Sequence, residues 1–171
     1  AWRSHRSQLD SAWSDFAARH GAPVNSWARS EIGDLRLANA VFYPFSGPDF
    51  LFAQLFYPRA ETYVLCGLEP CEPLPAWNSL SQEDISGGLE GLVNSTNSIL
   101  HFSYFITKDL RQDLQATRFR GVLPLFMVFL ARTGHAIESV DAVRLSADGN
   151  PEVFAAGQST VPGFLIRARG P

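Results

Sequence analysis

The sequence predicts a single α/β domain over residues 1–171, an open sheet that starts with a parallel βαβ unit, carries helices on both faces and ends in partly antiparallel strands. Three observations lead there. Two short apolar runs rich in strand formers, 39–44 and 62–68, flank a helical segment at 50–56, and strand, turn, helix and strand in about 30 residues make a βαβ unit. Two further strand-like runs, 139–145 and 163–169, lie beyond a strong turn signal at Ala147-Asp-Gly-Asn150 or directly before it. Finally, 46% of the chain is apolar and 18% charged, ample material for one core.

Taken in order, residues 2–20 place Leu9, Trp13, Phe16 and Ala17 at three- and four-residue steps, an amphipathic helix that Gly21 is expected to stop. A second short helix is expected over 27–32, with Ser26 as its cap and Gly33 as its end. After the first strand, Ser46-Gly-Pro-Asp49 offers an oxygen cap, a flexible residue and a proline suited to a first helical turn. The helix at 50–56 is apolar nearly all round, as a helix sandwiched between layers must be, and Pro58 closes it. Ser81-Gln-Glu-Asp84 is a capping-box variant ahead of a helical face built by Ile85, Leu89, Leu92, Val93, Thr96 and Leu100. Gly87, Gly88 and Gly91 interrupt that helix, and each costs roughly 1 kcal/mol relative to alanine, so close backbone packing or a kink is expected. A short strand at 102–106 and a helix over 107–118 follow, then the apolar helix at 121–133, with Pro124 tolerated only near its first turn. The last strands are placed at 139–145, 152–155 and 163–169.

Composition excludes several classes. Intrinsic disorder and fibrous repeats do not fit the apolar content or the scattered glycines and prolines. A net charge of −3 gives no electrostatic footprint for nucleic acid. The apolar run 122–131 is about half of the roughly 20 residues that cross a bilayer, so no transmembrane segment is expected. The chain starts at Ala1 with no initiator methionine and no basic-then-apolar leader, and stops at Pro171 directly after a strand; it reads as a processed product or a fragment, truncated at the carboxyl end. Oligomeric state is left open.

Candidate chemistry centres on the turn before the short helix. An amino-terminal helix turn exposes unpaired N–H groups, and Asp49 beside it either orients a polar ligand or simply complements the helix dipole. Glu69 follows 20 residues later at the end of the second strand, where an acid in dinucleotide and S-adenosylmethionine sites accepts hydrogen bonds from ribose hydroxyls. The pattern G-x-G-x-x-G is absent. Cys66 and Cys71 are a conceivable redox pair, but Cys66, between Leu65 and Leu68, reads as a small buried hydrophobe. His5, His20, His101 and His135 have no metal spacing, and His135 reads as a cation at a helix carboxyl end. Asp109 and Asp113 share a helical face beside Lys108, the only lysine, and Arg111, which describes a solvated face better than a metal site. The serines lack a hydrolase context, and Asn94-Ser-Thr96 matches a glycosylation acceptor inside a helix.

Two resemblances add to this. The run Val41-Phe-Tyr-Pro-Phe-Ser-Gly-Pro-Asp-Phe50, with Phe56-Tyr-Pro58, Tyr63-Val-Leu65 and Gly67-Leu-Glu-Pro70, resembles an uncharacterised family of bacterial proteins that often look exported. The likeness extends through Phe105-Ile-Thr-Lys-Asp-Leu110, Arg120-Gly-Val-Leu-Pro124 and Phe129-Leu-Ala-Arg-Thr-Gly-His135, and it implies a periplasmic or cell-envelope location without an activity. Members continue past the position of Arg169 and carry a glycine after the Glu-Pro pair, where this chain has Cys71-Glu72. More distantly, the strand–SGPD–helix–strand–Glu segment looks like the opening half of a Rossmann-like methyltransferase. That likeness implies a Rossmann-like open sheet in which Ser46, Gly47, Asp49 and Glu69 line a pocket for a small nucleoside-type ligand such as S-adenosylmethionine, although Phe45 stands where a small residue would admit a cofactor. Catalytic groups are not named by it. The alternative is a non-catalytic exported protein in which the same turn is a well-capped crossover.

Overall fold

A computed structural model describes residues 2–44, 49–67, 71–102, 119–154 and 160–171. Helix α1 (Trp2–Phe16) has the expected amphipathic character, with Phe16 at its buried end. Gly21 does not stop it. The backbone stays helical (Gly21 φ −60°), opens into a π-helical turn over Ala17–Gly21 in which the Ala22 N–H donates to the Ala17 carbonyl, and runs straight into α2 (Ala22–Glu31). Pro23 supplies the reason: a proline ring crowds the carbonyl four residues back and offers no N–H to it, and a widened turn relieves both problems without ending the helix. Ser26 is therefore inside α2 and caps nothing. The predicted stop at Gly33 does occur there: its φ of +56° is the left-handed conformation that glycine adopts without steric cost, and a 3₁₀ turn over Gly33–Leu37 leads to the sheet.

Strands β1 (Ala40–Tyr43) and β2 (Thr62–Leu65) pair in parallel, in register from Ala40 opposite Thr62 to Tyr43 opposite Leu65. Between them lies α3 (Phe50–Phe56), with Phe50, Leu51, Phe52 and Ala53 all buried, as an all-round apolar sequence demands. Val41, Tyr63 and Leu65 turn toward the core, whereas Phe42 and Val64, opposite one another, are 69% and 40% exposed. Among the described residues, helix thus covers one face of this pair.

After a 3₁₀ turn at Trp77–Ser79 comes α4 (Gln82–Phe102). Its capping box forms with aspartate in the glutamate role: the Ser81 hydroxyl accepts from the Asp84 N–H (3.0 Å), while Asp84 Oδ2 accepts from the Ser81 N–H (2.9 Å). The close packing foreseen for the glycines is real at Gly88, where an added Cβ would lie 2.6 Å from the Phe119 ring; Gly87 has open space. Phe102 is helical, the last described residue of α4, and does not begin a strand; the rest of the predicted strand and the helix, 103–118, lie outside the described residues.

Helix α5 (Leu123–Arg132) takes Pro124 in its first turn. Gly134, at φ +84°, ends it, with the His135 N–H donating back to the Leu130 carbonyl at 2.9 Å. Strand β3 (Ala136–Leu145) begins at once, three residues earlier than expected, with a register shift between Ile137 and Ser139. It pairs antiparallel with β4 (Pro151–Val153) and β5 (Gly163–Arg169) in the order β4-β3-β5, and the turn between β3 and β4 closes through the Gly149 N–H to the Ser146 carbonyl. Among the described residues the protein is accordingly a mixed helix–strand structure with a two-stranded parallel sheet and a separate three-stranded antiparallel sheet, α/β in the loose sense. One core joins them: Phe16, Phe50, Leu51, Ile99, Leu125 and Phe129 form its centre, with Ile137, Ile166 and Ala168 of the second sheet packed against it. Arg132 at the end of α5 pairs with Asp10 of α1 on the surface.

Candidate functional site

Tyr43 is the last residue of β1 and Asp49 directly precedes α3, so both sit at the carboxyl edge of the parallel pair. The Asp49 carbonyl accepts the Ala53 N–H (3.1 Å) and so opens the helix, but its side chain makes no capping hydrogen bond. Instead Oδ2 accepts from the Tyr43 hydroxyl at 2.8 Å, and Oδ1 is buried with no hydrogen-bond partner. Dipole complementation, the simpler of the two readings open for Asp49, does not account for a carboxylate turned onto a phenol. Burial raises the Asp49 pKa from 3.8 to about 6; the Tyr43 hydrogen bond and the nearby Phe52 N–H, which completes no cap, pull the other way and lose. The Tyr43 hydroxyl is pushed far above its ordinary value, first by burial and then by the charge and hydrogen bond of Asp49.

This pair borders a cavity of about 520 Å³ whose other walls are Pro23, Val24 and Trp27 from α2 and Phe52 and Phe56 from α3. Trp27 stands at the rim, 55% exposed, with its ring edge-on to Phe56 at a centroid distance of 6.1 Å. Phe52 is held from behind by Phe16, edge-on at 6.0 Å. The spacing of the two walls is set by Arg36 from the 3₁₀ turn. Its guanidinium donates to the Leu55 and Phe56 carbonyls (3.2 Å each), which end α3, and to the Asn25 side chain (2.7 Å) and carbonyl (3.3 Å) in α2. A planar fork with several fixed donors suits this clamp in a way a lysine would not.

Of the four residues expected to line a pocket, Asp49 does so; Ser46, Gly47 and Glu69 lie outside the described residues. The aromatic walls were not anticipated. Their signal is nevertheless in the sequence: 23, 24 and 27 share one helical face, as do 49, 52 and 56. Nothing in the sequence, however, says that these two faces meet.

The remaining candidates recede. Cys66 is exposed, contrary to the expected buried role, because its N–H still bonds to the Tyr43 carbonyl and strand alternation puts its side chain on the same open face as Val64; the two cysteines are not joined in a disulfide. His135 packs edge-on against Phe50 (5.5 Å) with Nδ1 2.9 Å from the Thr133 hydroxyl, and burial lowers its pKa, which disfavours the cation expected there. Thr96 of the glycosylation-like triplet is buried and bonds back to the Leu92 carbonyl. Asp109 and Asp113 are outside the described residues, among which no cluster of histidine, cysteine or acidic groups has the makings of a metal site. Among the described residues no helix is long and apolar enough to cross a membrane. No family model, curated protein or solved structure matches the chain, and the functional reading rests on the cleft alone.

Proposed function

We propose that the protein binds a small organic molecule in the cleft between α2 and α3, with a nucleoside-type ligand such as S-adenosylmethionine as the first candidate. One observation carries this reading: the Asp49 carboxylate borders a 520 Å³ aromatic cleft with one oxygen held by Tyr43 and the other without a partner. A buried polar atom left unpaired costs about 1–3 kcal/mol, and a hydrogen-bond donor on a ligand would remove that cost. Small-molecule sites typically enclose about 300–1,000 Å³ of mostly apolar wall with a few placed polar groups, which is the composition here. A planar base would lie against Trp27, Phe52 or Phe56 and present a donor to Asp49. Taking β1, α3 and β2 as the opening unit of a Rossmann-like sheet adds Ser46 and Gly47 beside the ligand and Glu69 on its ribose hydroxyls; the position of Tyr43 and Asp49 at the carboxyl edge supports that arrangement.

Thermal melts in the presence of S-adenosylmethionine, its demethylated product and a set of nucleosides test the proposal. A true ligand at 100 times its Kd adds about 2.7 kcal/mol and raises the melting point by roughly 5–10 °C. If no compound moves it by more than a degree, nucleoside binding is excluded.

A further inference from the structure

Resting on the reading of the cleft as a binding site, we propose that it selects a cation, an ammonium-bearing molecule with a flat aromatic or apolar body, over any anion of the same shape. Among the described residues, Asp49 is the only carboxylate in the wall, and no lysine, arginine or histidine lines it. Arg36, which ties α2 to α3, directs its donors at Asn25, Leu55 and Phe56, so its hydrogen bonds serve the walls. An anion entering the cleft would meet an acidic group and aromatic rings, and no described lining residue offers it a counter-charge. For an ammonium group the same surroundings are favourable in two ways. Oδ1 offers an unused acceptor, and charge-assisted hydrogen bonds are roughly twice as strong as neutral ones. The negative faces of Trp27, Tyr43, Phe52 and Phe56 attract cations as well, Trp most of all. Phosphorylated nucleosides are therefore poor ligands, and within the nucleoside class a molecule carrying an amine or a sulfonium is favoured.

Three probes with one phenyl ring and a four-carbon chain isolate the charge: 4-phenylbutylamine, 4-phenylbutan-1-ol and 4-phenylbutyrate. Each is titrated into the full chain at pH 8, where Asp49 is ionised, while the indole N–H of Trp27 is followed by ¹⁵N-resolved NMR. The amine should move the Trp27 signal and bind at least tenfold more tightly than the acid. In Asp49→Asn that preference should fall below about threefold while the alcohol still binds. Equal affinities for amine and acid in the native chain, or a preference that survives Asp49→Asn, overturn the charge selection and leave cleft binding standing. Absence of any Trp27 response to all three probes overturns cleft binding itself, and with it the selection. The native-chain comparison decides the matter by itself if the variant does not fold.

Discussion

Asp49 was legible as an acid at a helix start, and the sequence already marked it as a candidate ligand contact. Its partner was not. Tyr43 lies six residues away across the turn, and only the fold brings its hydroxyl within 2.8 Å of the carboxylate. The energetic sign at Asp49 is equally a matter of surroundings. Its folded pKa of about 6 exceeds the ordinary 3.8, so between those values the native state holds a proton that the unfolded chain has released. Stability contributed at this position is intact below about pH 4, declines as the pH rises toward 6 and stays lower above it. A two-unit shift corresponds to about 3 kcal/mol, which solvent screening at a partly exposed group reduces to about 1–2 kcal/mol. Asp49→Asn keeps an acceptor for Tyr43 and removes the charge. Urea unfolding should therefore show the variant more stable than the native chain by about 1–2 kcal/mol at pH 8 and equal to it near pH 4; equal stability at both pH values would show that the carboxylate is well solvated. A residue that lowers stability at neutral pH is the pattern expected of a group kept for binding.

Among the elements, the glycines of α4 separate two effects that their sequence positions do not distinguish. Gly88 faces the Phe119 ring, and an added methyl at 2.6 Å must displace a buried aromatic side chain. Gly87 faces open space. Gly88→Ala should cost about 1–3 kcal/mol through overpacking, whereas Gly87→Ala should add about 0.5–1 kcal/mol by restricting the unfolded chain and improving helix propensity. Chemical denaturation of the two variants side by side checks this, and a stabilised Gly88→Ala would refute the close approach. The capping box at Ser81 and the stop at Gly33 were readable because they depend on a few neighbouring residues. The continuous α1–α2 turn was not, since Gly21 reads as a stop, whereas the backbone stays helical through it and widens into a π turn just ahead of Pro23.

At the scale of the molecule, Phe129 of α5 links the two sheets, fully buried in the core that also holds Phe50 and Leu51 of α3 and receives Ile137 and Ile166 from the antiparallel sheet. Phe129→Ala should lower stability by about 3–5 kcal/mol. Because both sheets rest on that core, far-ultraviolet circular dichroism and tryptophan fluorescence should report one coincident urea transition, shifted as a whole. Two separated transitions would show that the sheets are independently stable units.

The sequence by itself determined what short-range physics determines: the parallel β1–α3–β2 unit, the largely apolar α3, the capping box at Ser81 and the antiparallel run from β3 to β5, each encoded by periodicity and turn residues within reach of one another. Only the tertiary structure decided that Pro23, Trp27, Tyr43, Asp49 and Phe56 form one cleft, and that Asp49 turns away from the helix it begins. The alignment of α2 against α3 depends on Arg36 bonding to residues 11 to 20 positions away, and the state of the carboxylate depends on burial by chains distant in sequence. Neither long-range contact nor desolvation leaves a periodic trace in the residues that experience it.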